Sequence, residues 1–325
     1  MRIEYHRTLI ADGVRNRAFR DALQAVIVPG VTTVADIGAG TGLLGLIASK
    51  LGAKEVYLYE TAEVAGVAAE ILKRNRATNC HLFPCHSTEM DDPPLADVVV
   101  SETLGNYALE ENILETVKDA RARHLKPGGV LIPRRITQQV APVIVPRIHD
   151  ELLAWDRVGR GLGATIGIDF EPARMMSLNN IYVRTLAPDE CLGADTGPGR
   201  SMSGAVVWDT IELASDNRPA RKGEARWATN APAAVYGFAV WWEAELTPGI
   251  ALSTAPDAPR THWEQLYLPL LQPILLATGE TLALSLRSKS TSETGTHIAW
   301  TATHLDAKGK SCGRQALDLD KGFLP

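Results

Sequence analysis

Two glutamates at the ends of a short loop are well suited to chemistry on a positively charged group. Glu102 ends an apolar run that begins at Asp97, and Glu111 follows after residues that include a glycine. The run predicts a buried strand, whose carboxyl end in an α/β sheet lies at the ligand-binding edge. The two carboxylates can therefore converge on one cation. Alternatively, Glu102 is a solvated strand end and Glu111 a first-turn residue that complements a helix dipole.

A glycine turn early in the chain is a second candidate site. Residues 34–37 form an apolar run that contains Asp36, and glycines follow at alternate positions, Gly38, Gly40 and Gly42. Glycine permits positive φ and lets a ligand approach the main chain closely. The spacing differs from that of a dinucleotide fingerprint, and no Lys-Ser/Thr pair follows as in a P-loop.

An acid at the end of the next apolar run indicates which ligand the turn binds. Glu60 ends the run 55–60, where a carboxylate can accept both hydroxyls of a ribose. With Asp36 before the turn and Glu60 after it, the pattern resembles the S-adenosyl-L-methionine site of class I methyltransferases. An ordinary strand-to-helix turn is the alternative interpretation.

Length, charge and cysteine usage limit the other possibilities. A chain of 325 residues with 45% hydrophobic and 22% charged residues predicts one large or two packed globular domains. The net charge of −5 gives no basic footprint for nucleic acid. No apolar run approaches the roughly 20 residues of a membrane span. Four cysteines without a CxxC pair or metal-ligand spacing favour free thiols, no bound metal and a cytoplasmic location.

The elements that must position these residues alternate between strand and helix. A helical lead-in is predicted over residues 5–27 from its apolar spacing. Alternation of this kind predicts a doubly wound, Rossmann-like parallel sheet. The predicted strands are 34–37, 56–59, 81–84, 97–101 and 130–132; the predicted helices are 43–51, 62–75 and 111–124, with a turn at 126–129.

A β-rich region follows Pro133. We therefore predict two domains, the first over 1–133 and a barrel-like β-rich domain over 134–325. Within the second domain, residues 148–160 favour a helix, 161–180 an irregular insertion and 191–200 a loop. Its predicted strands are 138–145, 181–186, 205–213, 235–246, 282–287 and 297–306.

Most of the chain, from His6 to about Leu271, resembles the protein arginine methyltransferases. Residues 101–114 are similar to that family's double-glutamate loop. Residues 252–265 closely resemble its Thr-His-Trp loop and the approach to it. The spacing of His6, Leu9, Asp12 and Arg15 matches that of its amino-terminal cofactor-capping helix.

The resemblance implies S-adenosyl-L-methionine as cofactor, S-adenosyl-L-homocysteine as product, and a set of cofactor contacts. Arg15 would bind the cofactor carboxylate, a role suited to its planar set of donors. Glu60 would accept the ribose hydroxyls, and Gly38 would let the methionyl part approach the backbone. His6 would lie beside the cofactor, and Glu89 or its neighbour Thr88 would reach the adenine amino group.

The resemblance also implies a catalytic set, Glu102, Glu111, His262 and Asp12. A guanidinium has a pKa above about 12 and spreads its charge over three nitrogens, so it is a poor nucleophile. Two carboxylates can orient one nitrogen and hold the charge on the remaining atoms, and such alignment can contribute about 7 to 11 kcal/mol. Asp12 would orient His262, which could accept a proton after transfer.

Some positions depart from the family pattern. The chain begins only five residues before His6 and offers Tyr5 alone where the family has an aromatic-rich lid. Thr103 and Leu104 replace a Trp-Met pair, while Leu9 and Ile113 replace pocket methionines. These changes leave the pocket shape and the methylation product undetermined.

We therefore expect guanidino N-methylation of arginine, with free L-arginine or a small peptide slightly favoured over arginine in proteins. An inactive, cofactor-binding regulatory protein and methylation of another amine or an oxygen are the alternatives. Residues 148–180 resemble in position the family's dimerisation arm, so we also expect a homodimer.

Overall fold

A five-stranded parallel sheet forms the first half of the fold. The computed structural model describes residues 3–193 and 204–322. The sheet order is β3-β2-β1-β4-β5, with every neighbouring pair parallel. The predicted doubly wound sheet is confirmed, and the order reverses between β1 and β4, where such sheets bind ligands. The strands are β1 Thr33–Ile37, β2 Glu55–Tyr59, β3 Cys80–Phe83, β4 Ala96–Ser101 and β5 Leu125–Ile132.

The first half of the fold differs from the predictions in three places, two in helices and one in a strand. The lead-in is two helices, because Asp12 caps the second by accepting the Arg15 N–H at 2.9 Å. The last helix begins at Ile113, so Glu111 precedes it and is no first-turn residue. Residues 126–129 are a bulge within β5 rather than a turn before it. The helices are α1 Ile3–Ala11, α2 Gly13–Val26, α3 Leu43–Lys50, α4 Val64–Arg74 and α5 Ile113–Arg123.

Two antiparallel sheets form the second half, as the strand-rich sequence predicts. Their orders are β7-β12-β10-β6-β8, with β11 beside β10, and β15-β14-β13-β9. The division into domains at residues 133 and 134 remains a prediction. The strands are β6 Arg135–Val143, β7 Tyr182–Arg184, β8 Val206–Glu212, β9 Ala220–Ala228, β10 Ala233–Thr247, β11 Ile250–Ser253, β12 Gln265–Leu276, β13 Thr281–Thr291, β14 Gly295–Leu305 and β15 Ser311–Asp318.

A helical segment connects β6 to β7. It consists of α6 Arg147–Leu152, α7 Ala154–Val158, a π-helical turn Gly159–Gly163, α8 Ala164–Ile166 and α9 Glu171–Leu178. The single helix predicted over 148–160 is thus broken at Leu153, and the region predicted to be irregular, 161–180, contains two helices. Of the predicted loop 191–200, residues 194–200 lie outside the described part of the chain.

One buried apolar cluster joins the two halves. It includes Phe19 of α2, Val99 of β4 and Trp242 of β10. The segment 102–111, which connects β4 to α5, therefore lies where both halves can fix its position. Among the described residues, none of the helices combines the length and apolar character that a membrane crossing needs.

Candidate active site

A cavity of about 160 Å³ lies at the carboxyl edge of the parallel sheet. Its wall combines α1, the glycine turn, the end of β2 and the segment after β4. Both predicted catalytic glutamates, Glu102 and Glu111, line it. The predicted cofactor residues that also line it are His6, Arg15, Asp36, Gly38, Gly40 and Glu60.

The glycine turn has a backbone that side chains would obstruct. Gly38 and Gly40 have φ values of 74° and 56°. A Cβ on Gly38 would lie 3.0 Å from Thr103 Cγ2, and one on Gly40 would lie 3.4 Å from the His6 ring. The turn thus requires glycine for its conformation and for the space between neighbouring side chains. Gly42, also at positive φ, caps α3 and does not line the cavity.

The two acids beside the turn hold its backbone. Asp36 is 1% exposed and accepts the Gly45 N–H at 2.8 Å. Desolvation raises the pKa of Asp36 to about 7, partly offset by this hydrogen bond. Glu60 accepts the Gly40 N–H at 2.8 Å with one oxygen and the Ala62 N–H at 2.7 Å with the other.

Arg15 and Glu102 form a buried ion pair. Arg15 Nε donates to Glu102 Oε2 at 2.7 Å, and Nη2 donates to the same oxygen. Each side chain is 7% exposed. Arg15 Nη1 donates to Asn16. The sequence predicts a cofactor contact for Arg15 but not this pairing, which shows that Glu102 accepts a guanidinium at this depth.

The negative charge of Glu111 is stabilised less by neighbouring groups than that of Glu102. Its pKa is raised to about 7, first by desolvation and then by the charges of Glu102 and Glu110, while Arg15 acts in the opposite direction. The residue as a whole is exposed, so the desolvation concerns the part that lines the cavity. A cation placed between Glu102 and Glu111 would favour the charged form of Glu111.

Asp12 holds His262 in one orientation. Asp12 Oδ2 accepts both the His262 backbone N–H and Nδ1, each at 2.8 Å, and both side chains are below 5% exposed. Burial lowers the pKa of His262, an effect that Asp12 opposes. Because a carboxylate only accepts hydrogen bonds, the proton of the neutral ring lies on Nδ1. Within the described chain, His262 Nε2 is buried without a hydrogen-bond partner.

The second half fastens the loop between the two glutamates through contacts that sequence reasoning missed. Trp263 Nε1 donates to the Leu104 carbonyl at 2.8 Å, and Trp242 Nε1 to the Gly105 carbonyl at 3.0 Å. Tyr107 shares a buried hydrogen bond of 2.6 Å with Ser288. Buried indole and phenol groups require such partners, and this requirement was the available signal in the sequence.

Comparison with known proteins identifies the family. Residues 139–303 match a family model described as arginine methyltransferase oligomerization subdomain, and residues 21–153 match one described as ribosomal protein L11 methyltransferase. The arginine N(omega)-methyltransferase of Streptomyces achromogenes subsp. streptozoticus is 33% identical over 294 residues, which cover 87% of this chain and 75% of that protein. This chain belongs to the protein arginine methyltransferase family.

Membership makes the chain an S-adenosylmethionine-dependent arginine N-methyltransferase of class I. Protein arginine N-methyltransferase 6 of Xenopus tropicalis is 30% identical over 82% of this chain and 78% of its own length. Similar solved folds include the Trypanosoma brucei PRMT1 enzyme-prozyme heterotetrameric complex with AdoHcy. That fold has a TM-score of 0.81 and 22% identity, and the match covers 97% of each chain.

Two residues that the family resemblance assigns to adenine lie apart from the cavity in this methyltransferase. Thr88 and Glu89 are exposed and do not line it. Both instead contact His86, which caps their short helical turn: Thr88 Oγ1 lies 2.7 Å from His86 Nδ1, and Glu89 accepts the His86 N–H at 3.3 Å.

Proposed function

We propose that this enzyme methylates a terminal guanidino nitrogen of arginine, and that its acceptor is free L-arginine or a short peptide. The observation that carries the proposal is that Glu102 and Glu111 line the same cavity as the glycine turn. This arrangement puts two carboxylates for a delocalised cation beside a turn suited to a nucleoside ligand.

The residues of the turn fit S-adenosylmethionine. Gly38 and Gly40 leave free backbone where a Cβ would intrude, and His6 Nε2 is buried without a partner among the described residues. We assign the cofactor carboxylate to Arg15 and the ribose to Glu60. Asp36, Gly40 and Gly42 hold the turn, and Thr88 or Glu89 remains the proposed adenine contact. The cofactor supplies an electrophilic methyl group on its sulfonium sulfur.

Glu102 and Glu111 orient the acceptor. Glu102 Oε2 already accepts hydrogen bonds from Arg15, and Glu102 Oε1 accepts the Leu104 N–H at 3.3 Å. We propose that the substrate donates to the remaining lone pair of Glu102 Oε1 and to both oxygens of Glu111. Binding on two sides fixes which nitrogen faces the methyl donor and concentrates positive charge on the other atoms. Fixed negative charge also lowers the cost of bringing a cationic acceptor towards a cationic donor.

His262 and Asp12 manage the proton that methylation releases. The guanidinium nitrogen that gains a methyl group must lose one proton. Neutral His262 has an available lone pair on Nε2, and Asp12 stabilises the charged ring that would result. We therefore propose His262 Nε2 as the proton acceptor.

Free arginine is proposed as acceptor for two reasons. The chain has a net charge of −5, which is compatible with a small cationic substrate. The Streptomyces relative is named an arginine N(omega)-methyltransferase. Arginine in proteins is the second candidate, because the Xenopus relative is named for protein arginine.

A labelled-cofactor assay tests these assignments. The enzyme is incubated with free L-arginine, an arginine-rich peptide or a non-arginine amine, and Glu102→Gln and Glu111→Gln serve as comparison variants. We expect label in an arginine compound and strong loss in both variants. Label only in the non-arginine amine, or no label with any acceptor, would refute the proposal.

We further propose that the enzyme is a homodimer that associates through the helical segment after β6. Exposed apolar side chains concentrate there, among them Leu162, Ile166 and Met176 at 56%, 52% and 61% exposure. Ile166→Asp should therefore dissociate the dimer in sedimentation velocity. Leu275→Asp, at an apolar position 70% exposed outside the segment, is the matched control. Dissociation by both variants or by neither would contradict this interface.

A further inference from the structure

A second cavity lies beside the Thr-His-Trp loop and takes no part in the chemistry described above. Its volume is about 200 Å³, and its walls are formed by residues 185–188, 254–256, 258–261 and 263–265. Its two charged residues carry opposite signs, Arg260 and Glu264. A cavity with one cation and one anion suits a zwitterionic group.

Neither charged side chain forms an ion pair with a described neighbour. Across residues 3–193 and 204–322, neither Arg260 nor Glu264 forms an ion pair, with each other or with a third residue. The Glu264 carboxylate accepts one hydrogen bond, from the Thr185 hydroxyl. Arg260 is exposed, so its donors can reach a ligand.

Two residues that line this cavity are hydrogen-bonded to the loop between the two glutamates. Glu264 N–H donates to Asn106 Oδ1 at 2.9 Å, and the Trp263 indole donates to the Leu104 carbonyl at 2.8 Å. Both acceptors lie on the loop between the two catalytic glutamates. In arginine, about five covalent bonds separate the guanidinium carbon from the α-carbon, a reach of roughly 6 Å. An arginine held by the two glutamates would therefore have to extend past this loop for its α-substituents to reach the cavity.

We propose that Arg260 binds the α-carboxylate and Glu264 the α-ammonium group of free arginine. This inference rests on the proposed function, because it takes the guanidino group to be held by Glu102 and Glu111. The guanidinium of Arg260 can bind a carboxylate with two parallel hydrogen bonds. An arginine inside a peptide has neither charge and would leave both residues without partners. The cavity thereby selects the free amino acid over arginine in a protein.

Substrates that lack one α-group separate the two roles. Agmatine has no carboxylate, and Nα-acetyl-L-arginine has no charged amine. Arg260→Gln should lower kcat/KM for L-arginine roughly 10- to 100-fold, mainly through KM, and leave that for agmatine unchanged. Glu264→Gln should lower kcat/KM for L-arginine by a similar factor and leave that for Nα-acetyl-L-arginine unchanged. Unchanged turnover of the truncated substrate also shows that each variant is folded.

Two charge-neutralising variants outside the cavity are the controls. Arg226→Gln alters an exposed arginine of β9, and Asp257→Asn an exposed acid in the same loop that does not line the cavity. Both should retain wild-type selectivity. Equal losses on L-arginine and agmatine in Arg260→Gln, or a wild-type preference for internal arginine in a peptide over free L-arginine, would overturn the inference. If the wild-type enzyme methylates no arginine compound, the proposed function itself fails.

Discussion

Replacing either of the proposed catalytic glutamates by glutamine should impair methyl transfer, and the two replacements should change the free energy of unfolding in opposite directions. Glu102 is 7% exposed and holds the equally buried Arg15. Glutamine there leaves a buried guanidinium opposite a neutral amide. Glu111 has a pKa raised to about 7 by desolvation and neighbouring acids, so its charged form is disfavoured by the fold. Glutamine at 111 removes that unfavourable charge.

The magnitudes follow from burial. Breaking a buried ion pair by removing one partner costs about 3 to 5 kcal/mol, and an amide oxygen that still accepts a hydrogen bond recovers part of this. We therefore expect Glu102→Gln to lower the free energy of unfolding by about 2 to 4 kcal/mol. Glu111→Gln should raise it above pH 7, because a carboxyl with a raised folded-state pKa destabilises the fold once the unfolded state has ionised. Each variant should lose about 100- to 1000-fold in kcat.

Urea unfolding at pH 8 and steady-state kinetics with L-arginine measure both effects. Glu115→Gln, an exposed acid on α5, is the matched control and should change neither. Glu111→Gln with wild-type kcat would refute the two-carboxylate mechanism. Equal destabilisation by Glu102→Gln and Glu111→Gln would refute the electrostatic distinction between them.

Three further predictions follow from the site and its supports. The kcat/KM for arginine should fall below about pH 7 as Glu111 is protonated. Glu110→Gln removes a neighbouring negative charge and should shift this decrease in kcat/KM to lower pH. An unshifted pH dependence would contradict the assignment to Glu111. The folded-state pKa of Asp36, about 7 against 3.8, implies that stability declines from about pH 4 to pH 7. In urea unfolding, the free energy of unfolding of Asp36→Asn relative to that of the wild type should therefore increase by on the order of 3 kcal/mol between pH 5 and pH 8. A difference between the two proteins that does not change with pH would contradict this. Tyr107→Phe should lower the free energy of unfolding by about 1 to 3 kcal/mol by leaving Ser288 without its partner, and an unchanged urea midpoint would show that the hydrogen bond is dispensable.

The parallel sheet was predictable because its strands are short, continuous apolar runs bounded by turn residues. Several strands of the second half escaped detection for physical reasons. Strand β12 contains Pro269 and Pro273, and proline within a sequence segment normally argues against a strand there. Strand β9 carries charges on its exposed face, and only Ala225 and Trp227 are buried in it. Its place beside β13 depends on partners distant in sequence.

The candidate site was predictable as a set of residues but not as a set of contacts. The glycine spacing and the family resemblance brought most of its members together. The pairing of Arg15 with Glu102 spans 87 positions and depends on side-chain conformation, which no local pattern encodes. Thr88 and Glu89 were assigned by resemblance alone; neither lines the cavity, and both side chains contact His86, which caps their short helical turn.

The position of the transferred methyl group tests the central claim most directly. L-Arginine is incubated with S-adenosylmethionine and enzyme, and tandem mass spectrometry locates the added methyl. We predict a methyl on a terminal guanidino nitrogen with the wild-type enzyme and almost none with Glu102→Gln or Glu111→Gln. A methyl on the α-amino group, or equal guanidino methylation by the wild type and both variants, would contradict the account.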